Sequence, residues 1–177
     1  MITPRVVPAV ALAALLWASP SPLASQTDGD PVRLGHYRVL PSEVLGEDRA
    51  LQIHLPHGYE DGELAYPVVY LFYSDWLSGY FAQAVHDLYL LTIDRMPEVI
   101  LVGLPNTQRY RDFLAWPQEG RPGTGHADTF LDFVTQELIP FVESQYRTRP
   151  FRIMVGPQAA AVFGAYALLN APEAFQA

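Results

Sequence analysis

The chain has 177 residues, half of them apolar, 17% charged and 12% aromatic, with no cysteine, a composition that fits a globular protein of one domain. Nineteen acidic against eleven basic residues give a net charge of −8, which argues against nucleic acid or an anionic membrane as a partner. All eleven basic residues are arginine, so lysine Schiff-base and P-loop chemistry are excluded, and the lack of cysteine excludes thiol nucleophiles, thiolate metal sites and disulfides.

Met1 to Arg5 forms a short positive stretch, and Val6 to Ala18 is an apolar run too short for a membrane span. This predicts a secretory leader, with the small residues Ala24 and Ser25 placing the cut before Gln26. The expected organisation is a signal peptide over 1–25, a Pro/Ser/Asp/Gly-rich linker over 26–34 and one domain over 35–177. A secreted or periplasmic location follows, with no transmembrane domain once the leader is removed.

His36–Leu40 and Ala50–Leu55 read as a hairpin joined by an acidic turn around Gly46, Glu47 and Asp48. Pro67–Tyr73 and Val99–Val102 are near-continuous apolar runs rich in β-branched and aromatic residues, the pattern of strands buried on both faces. Gly79–Arg95 between them is helix-like. Phe130, Phe133, Val134, Leu138, Phe141 and Val142 recur at helical spacing and predict a helix over Thr129–Gln145, capped by Asp128 or Thr129 and kinked at Pro140. Arg152–Gly156 reads as a third buried strand and Ala159–Asn170 as a helix of small residues. Strands alternating with helices predict an α/β fold with a mostly parallel sheet in three αβα layers.

A strand, then Gly156, two residues and a small-residue helix is the arrangement that lifts a nucleophile above the edge of an α/β sheet. Four further stretches accompany it in order: Leu55–Tyr59, Tyr66–Leu71, Val102–Asp112, and Glu137–Glu143 with Tyr146–Thr148. Together they resemble the "putative esterase" (esterase D-like) family of α/β-hydrolases over Leu51–Ala177. The resemblance implies the N-terminal part of that fold, incomplete at the C-terminus, and cleavage of carboxylic ester or thioester bonds in small acyl substrates.

Two departures bear on activity. Where the family reads Gly-His-Ser-x-Gly-Gly, this chain reads Gly156-Pro157-Gln158-Ala159-Ala160-Ala161, with Gln158 at the nucleophile position. A carboxamide has no acidic hydroxyl to surrender to a base and is a negligible nucleophile. Replacement of the supporting glycines by Ala160 and Ala161 predicts that the turn itself has changed. The five histidines, at 36, 54, 57, 86 and 126, all precede Gln158, whereas the family's acid and histidine follow the nucleophile. The resemblance places an oxyanion hole at the main-chain N–H groups of Ser74 and Ala159, which needs no particular side chain.

Other candidate sites have plainer readings. His54 and His57 flank Pro56 and read as surface histidines rather than a metal pair; His86–Asp87 reads as a solvated helix face and His126–Asp128 as a helix-start loop. Arg109 and Asp112 are expected to pair and brace their loop, with Arg111 extending the network. Tyr70, Phe72, Tyr73, Trp76, Tyr80 and Phe81 read as core and pocket wall. The sequence thus predicts an esterase-family homologue without serine-hydrolase activity, with no cofactor and no metal. A small acyl-ester ligand is one expected partner. The alternatives are a protein-interaction module that self-associates through an open sheet edge, and a hydrolase with a different nucleophile.

Overall fold

The computed structural model describes residues 34–72, 80–81, 84–85, 97–105 and 107–177. The expected leader, most of the helix expected over 79–95, His86, Tyr73, Ser74 and Trp76 lie outside the described residues. Five strands form one sheet: β1 (His36–Ser42), β2 (Glu47–His54), β3 (Tyr66–Phe72), β4 (Ile100–Leu104) and β5 (Thr148–Val155), in the spatial order β1-β2-β4-β3-β5. The helices are a single turn α1 (Arg109–Asp112), α2 (Ala127–Phe133), α3 (Ile139–Gln145) and α4 (Ala159–Asn170).

The sheet is mixed rather than mostly parallel. β1–β2 and β2–β4 pair antiparallel, and only β3–β4 and β3–β5 pair parallel. The hairpin strands are longer than the alternation suggested: Leu40 faces Arg49 and Ser42 faces Glu47, so Glu47 and Asp48 belong to β2 and the turn is 43–46. A distant side chain fixes that turn. The Glu137 carboxylate accepts from the main-chain N–H groups of Glu43 and Val44 at 2.9 and 3.0 Å and from the Ser42 hydroxyl.

β3 is buried at all seven positions because its two faces meet different layers. Val68, Tyr70 and Phe72 join the larger core with Phe113, Phe130, Phe133, Phe163 and Ala160, whereas Val69 and Leu71 pack with Val99, Leu101, Phe81 and Val85 on the other side. Residues 80–81 and 84–85 are helical, so helical layers lie on both faces, as the sequence implies. Phe72 touches four aromatic rings, all edge-on at centroid distances of 5.6 to 6.2 Å: Phe113, Phe130, Phe163 and Phe175. Such pairs add about 0.5–1.5 kcal/mol each beyond area burial.

The helix expected over 129–145 begins two residues earlier, with His126 rather than Asp128 or Thr129 in the capping position. The break expected at Pro140 appears as a π-helical turn over Val134–Leu138, after which Pro140 sits in the first turn of α3. Proline lacks an N–H and its ring clashes with the carbonyl four residues back; widening the preceding turn relieves both problems.

β5 is flanked by β3 on one side, and on the other its backbone meets residues 176–177: Gln176 N–H donates to the Arg152 carbonyl (2.8 Å) and Met154 N–H to that of Ala177 (2.7 Å). The Arg152 side chain holds the same segment through the carbonyls of Glu173 and Ala174 and an ion pair with Glu143. The free row of backbone groups expected on this edge is therefore occupied between Arg152 and Met154.

The hairpin and the α1 loop are joined by buried charges. The Asp112 carboxylate, 1% exposed, accepts from Arg49 Nη2 (2.9 Å), Arg111 Nε (2.7 Å) and the main-chain N–H of Gln108 (2.9 Å). Glu47 closes the network by accepting from both Arg111 and Arg49. Asp112→Ala removes the carboxylate from beside two guanidiniums, and breaking a buried pair in this way costs about 3–5 kcal/mol. The expected outcome is a large drop in the urea unfolding midpoint; a variant as stable as the parent would show that water already solvates these groups. The hydrogen bond from Arg111 holds the Glu47 carboxyl below its ordinary value of 4.5, with Arg49 adding to the effect. Glu47 therefore contributes stability above pH 4.5 that fades as pH falls through the lowered folded value, and an Arg111→Met variant should lose that part of the acid dependence.

Candidate active site

The site is built at the junction of β5 and α4. Gln158 has φ 54° and ψ −118° and is the one non-glycine with positive φ among the described residues. The chain here reverses sharply between a strand and a helix, so the residue's side chain is carried out of the sheet edge, and Gln158 is exposed. A non-glycine residue in a strained backbone conformation thus stands at this strand–helix junction. Gly156 supplies the room. A Cβ there would lie 2.5 Å from the Ala160 Cβ, and Ala160 is fully buried, so one glycine with one alanine gives the close strand–helix approach that a pair of downstream glycines would otherwise give. The N–H groups of Ala160 and Ala161 close the turn onto the carbonyls of Pro157 and Gln158, and Ala159 stands at the first position of α4, where main-chain N–H groups lack helical partners.

Arg109 reaches this turn from α1. Its Nη1 donates to Gln158 Oε1 at 3.4 Å, and its guanidinium lies 4.9 Å from the centre of the Tyr110 ring. The expected Arg109–Asp112 pair does not form, because Asp112 is turned inward to Arg49 and Arg111 while Arg109 points to the elbow. Arg111 does extend the network, as expected. Nothing in the sequence signalled Arg49, which lies on the hairpin 63 residues before Asp112. Around Gln158 a shallow hollow is lined by Arg109, Phe113, Pro157, Ala159 and Ala160; none of the described histidines borders it.

Those histidines serve elsewhere. His54 is half-buried rather than on the surface: Nδ1–H donates to the Leu34 carbonyl at 2.7 Å, and burial lowers its pKa. His57 is exposed, and His126 lies in the capping position of α2. No three His, Asp or Glu side chains converge among the described residues. Of the aromatic cluster, Tyr70 and Phe72 are core and Tyr80 is 74% exposed.

A model of the family described as Putative esterase matches residues 42–177. The chain belongs to that family. The IroE-like serine hydrolase from Shewanella oneidensis superposes with a TM-score of 0.74 at 34% identity, over 80% of this chain and 48% of that one. Siderophore hydrolase EstA from Aspergillus nidulans superposes at 0.69 with 19% identity, over 85% and 57%. YbbA of Bacillus subtilis strain 168 is 24% identical over 147 residues, 76% of this chain and 56% of that protein. The chain thus spans about half the length of the Shewanella hydrolase and of YbbA.

The strained backbone makes a measurable prediction. A non-glycine residue in this φ/ψ region carries about 1–3 kcal/mol of strain, which glycine avoids. Gln158→Gly is expected to raise the melting temperature by a few degrees, at roughly 2–4 °C per kcal/mol for a chain of this size, offset in part by the greater entropy of the unfolded glycine chain. A lower melting temperature would mean that the Arg109 contact outweighs the strain.

Proposed function

We propose that this esterase-family protein binds a small acyl ligand at the elbow without hydrolysing it. The observation that carries the reading is Gln158, held in the elbow conformation with its carboxamide oxygen accepting from Arg109. A serine at this position attacks because a base withdraws its proton; the carboxamide can only donate and accept hydrogen bonds. With Gln158 Nε2, the main-chain N–H of Ala159 and Arg109 clustered together, the site offers donors to a carbonyl or carboxyl oxygen and, among the described residues, no group to form an acyl-enzyme. Export through the leader belongs to this reading, as does the absence of a cofactor.

The 177-residue protein is expected to turn over p-nitrophenyl acetate and butyrate no faster than buffer and to resist labelling by a fluorophosphonate. Gln158→Ser alone is expected to leave turnover near background, since no described histidine borders the elbow and a serine without its base retains only residual catalysis. Burst kinetics in that variant, or probe labelling of the parent, would refute the reading.

A second reading has its own observation. α4 is apolar on all sides, leaving Leu168 66% and Leu169 82% exposed, and no charged residue occurs between Ile153 and Pro172. On a chain of net charge −8 this is a face where two copies meet without repulsion, so self-association is assigned to α4. Sedimentation at increasing concentration should show a dimer that Leu168→Glu with Leu169→Glu converts to monomer; a monomeric parent would exclude it.

A further inference from the structure

A second cavity, of about 480 Å³, opens beside the elbow between residues 107–111 and 121–124. Two guanidiniums lie against the Tyr110 ring that borders it: Arg109 at 4.9 Å and Arg121 at 4.5 Å from its centre. Among the described residues neither is in an ion pair, whereas the third arginine of the lining, Arg111, is bonded to Glu47 and Asp112. In a chain with eight more acidic than basic side chains, carboxylates are plentiful, yet these two arginines line one cavity and neither is in an ion pair among the described residues. Each guanidinium gains about 0.5–1 kcal/mol from an exposed contact with the Tyr110 ring.

The arrangement is fixed before any ligand arrives. Thr124 Oγ1 accepts from Gln118 N–H and donates to the Arg121 carbonyl, both at 2.8 Å, clasping the turn that carries Arg121. Gly125 N–H donates to the Tyr110 carbonyl (3.0 Å). Gly125 has φ 87°, and a Cβ there would lie 2.4 Å from the Trp116 carbonyl carbon, so the strap closes onto α1 only because this residue is glycine. In the wall, Thr107 is 8% exposed and its hydroxyl is buried without a hydrogen-bond partner among the described residues, an unmet polar group of the kind that normally has a reason.

From these observations we infer that the cavity is an anion site, in which Arg121 and Arg109 receive the carboxylate of a small organic acid and Thr107 lies in the wall close enough to be drawn into its hydrogen bonding. Planar guanidiniums match a carboxylate in geometry and charge, and the cavity volume falls in the range of small-molecule sites. The inference deepens the proposed ligand-binding role, since Arg109 also bonds Gln158: an acid bound here lies next to the elbow.

The test is calorimetric titration of the 177-residue protein with benzoate, with benzamide as the uncharged match and inorganic phosphate as a second anion. Benzoate is expected to bind, benzamide to bind at least about tenfold more weakly, and Arg121→Gln to weaken benzoate by about tenfold, the loss of one charge-assisted contact. Arg38→Gln, on the exposed face of β1, should leave affinity unchanged and controls for overall charge. Equal binding of benzoate and benzamide, no benzoate binding, or unchanged affinity in Arg121→Gln overturns the site. Phosphate binding as tightly as benzoate overturns the assignment to carboxylates. Ester turnover is a separate readout: hydrolysis would remove the non-hydrolysing reading while leaving the anion site standing.

Discussion

The Asp112 carboxylate is the point on which the functional end of the molecule depends. Buried to 1% exposure, it receives Arg49 from the hairpin, Arg111 from its own turn and the main-chain N–H of Gln108. A carboxylate taken out of water this far persists only when its lone pairs are met, so the three donors must be delivered together. Their delivery sets the start of α1, and with it the direction in which Arg109 and Tyr110 leave the backbone. The elbow contact to Gln158 and the stacking of Arg121 both follow from how Asp112 is held.

Around that point the protein separates scaffold from chemistry. The aromatic core about Phe72 and the close approach of Gly156 to Ala160 place α4 against the sheet, while the clasp of Glu137 fixes the hairpin turn. The backbone at Gln158 is strained. Strain of this kind has a use where a side chain must be presented, and its presence with a carboxamide fits a turn whose task is to hold a hydrogen-bonding group.

Much of the architecture was legible in the sequence, because β3, β4 and α4 announce themselves by runs that few alternatives can accommodate. α4 has the predicted bounds, Ala159–Asn170. The errors have physical causes. Glu47 and Asp48 looked like turn residues, yet their charges are met by Arg111 and by solvent, so they sit in β2. The sheet is mixed because β2 pairs antiparallel with both β1 and β4, beside the parallel pairs of β3. Arg109–Asp112 failed as a pair because spacing along a turn says nothing about a cation arriving from another strand, as Arg49 does. The close strand–helix approach depends on Gly156, where a Cβ would lie 2.5 Å from the Ala160 Cβ, a constraint that shows only once the strand and helix are packed together.

The order of the strands in space also bears on how fast the chain reaches this state. β1 and β2 are neighbours in sequence, but β3, which lies between β4 and β5, pairs Val68 with Arg152 across more than eighty intervening residues. Closing so long a loop must precede any gain from the contact, and topologies of this kind fold slowly compared with those made of local contacts. The hairpin and the α2–α3 helices can form within microseconds, while β3 waits for its second partner. During that interval the apolar edge of β3 is exposed, so for this chain the period most open to aggregation is the time before β5 docks.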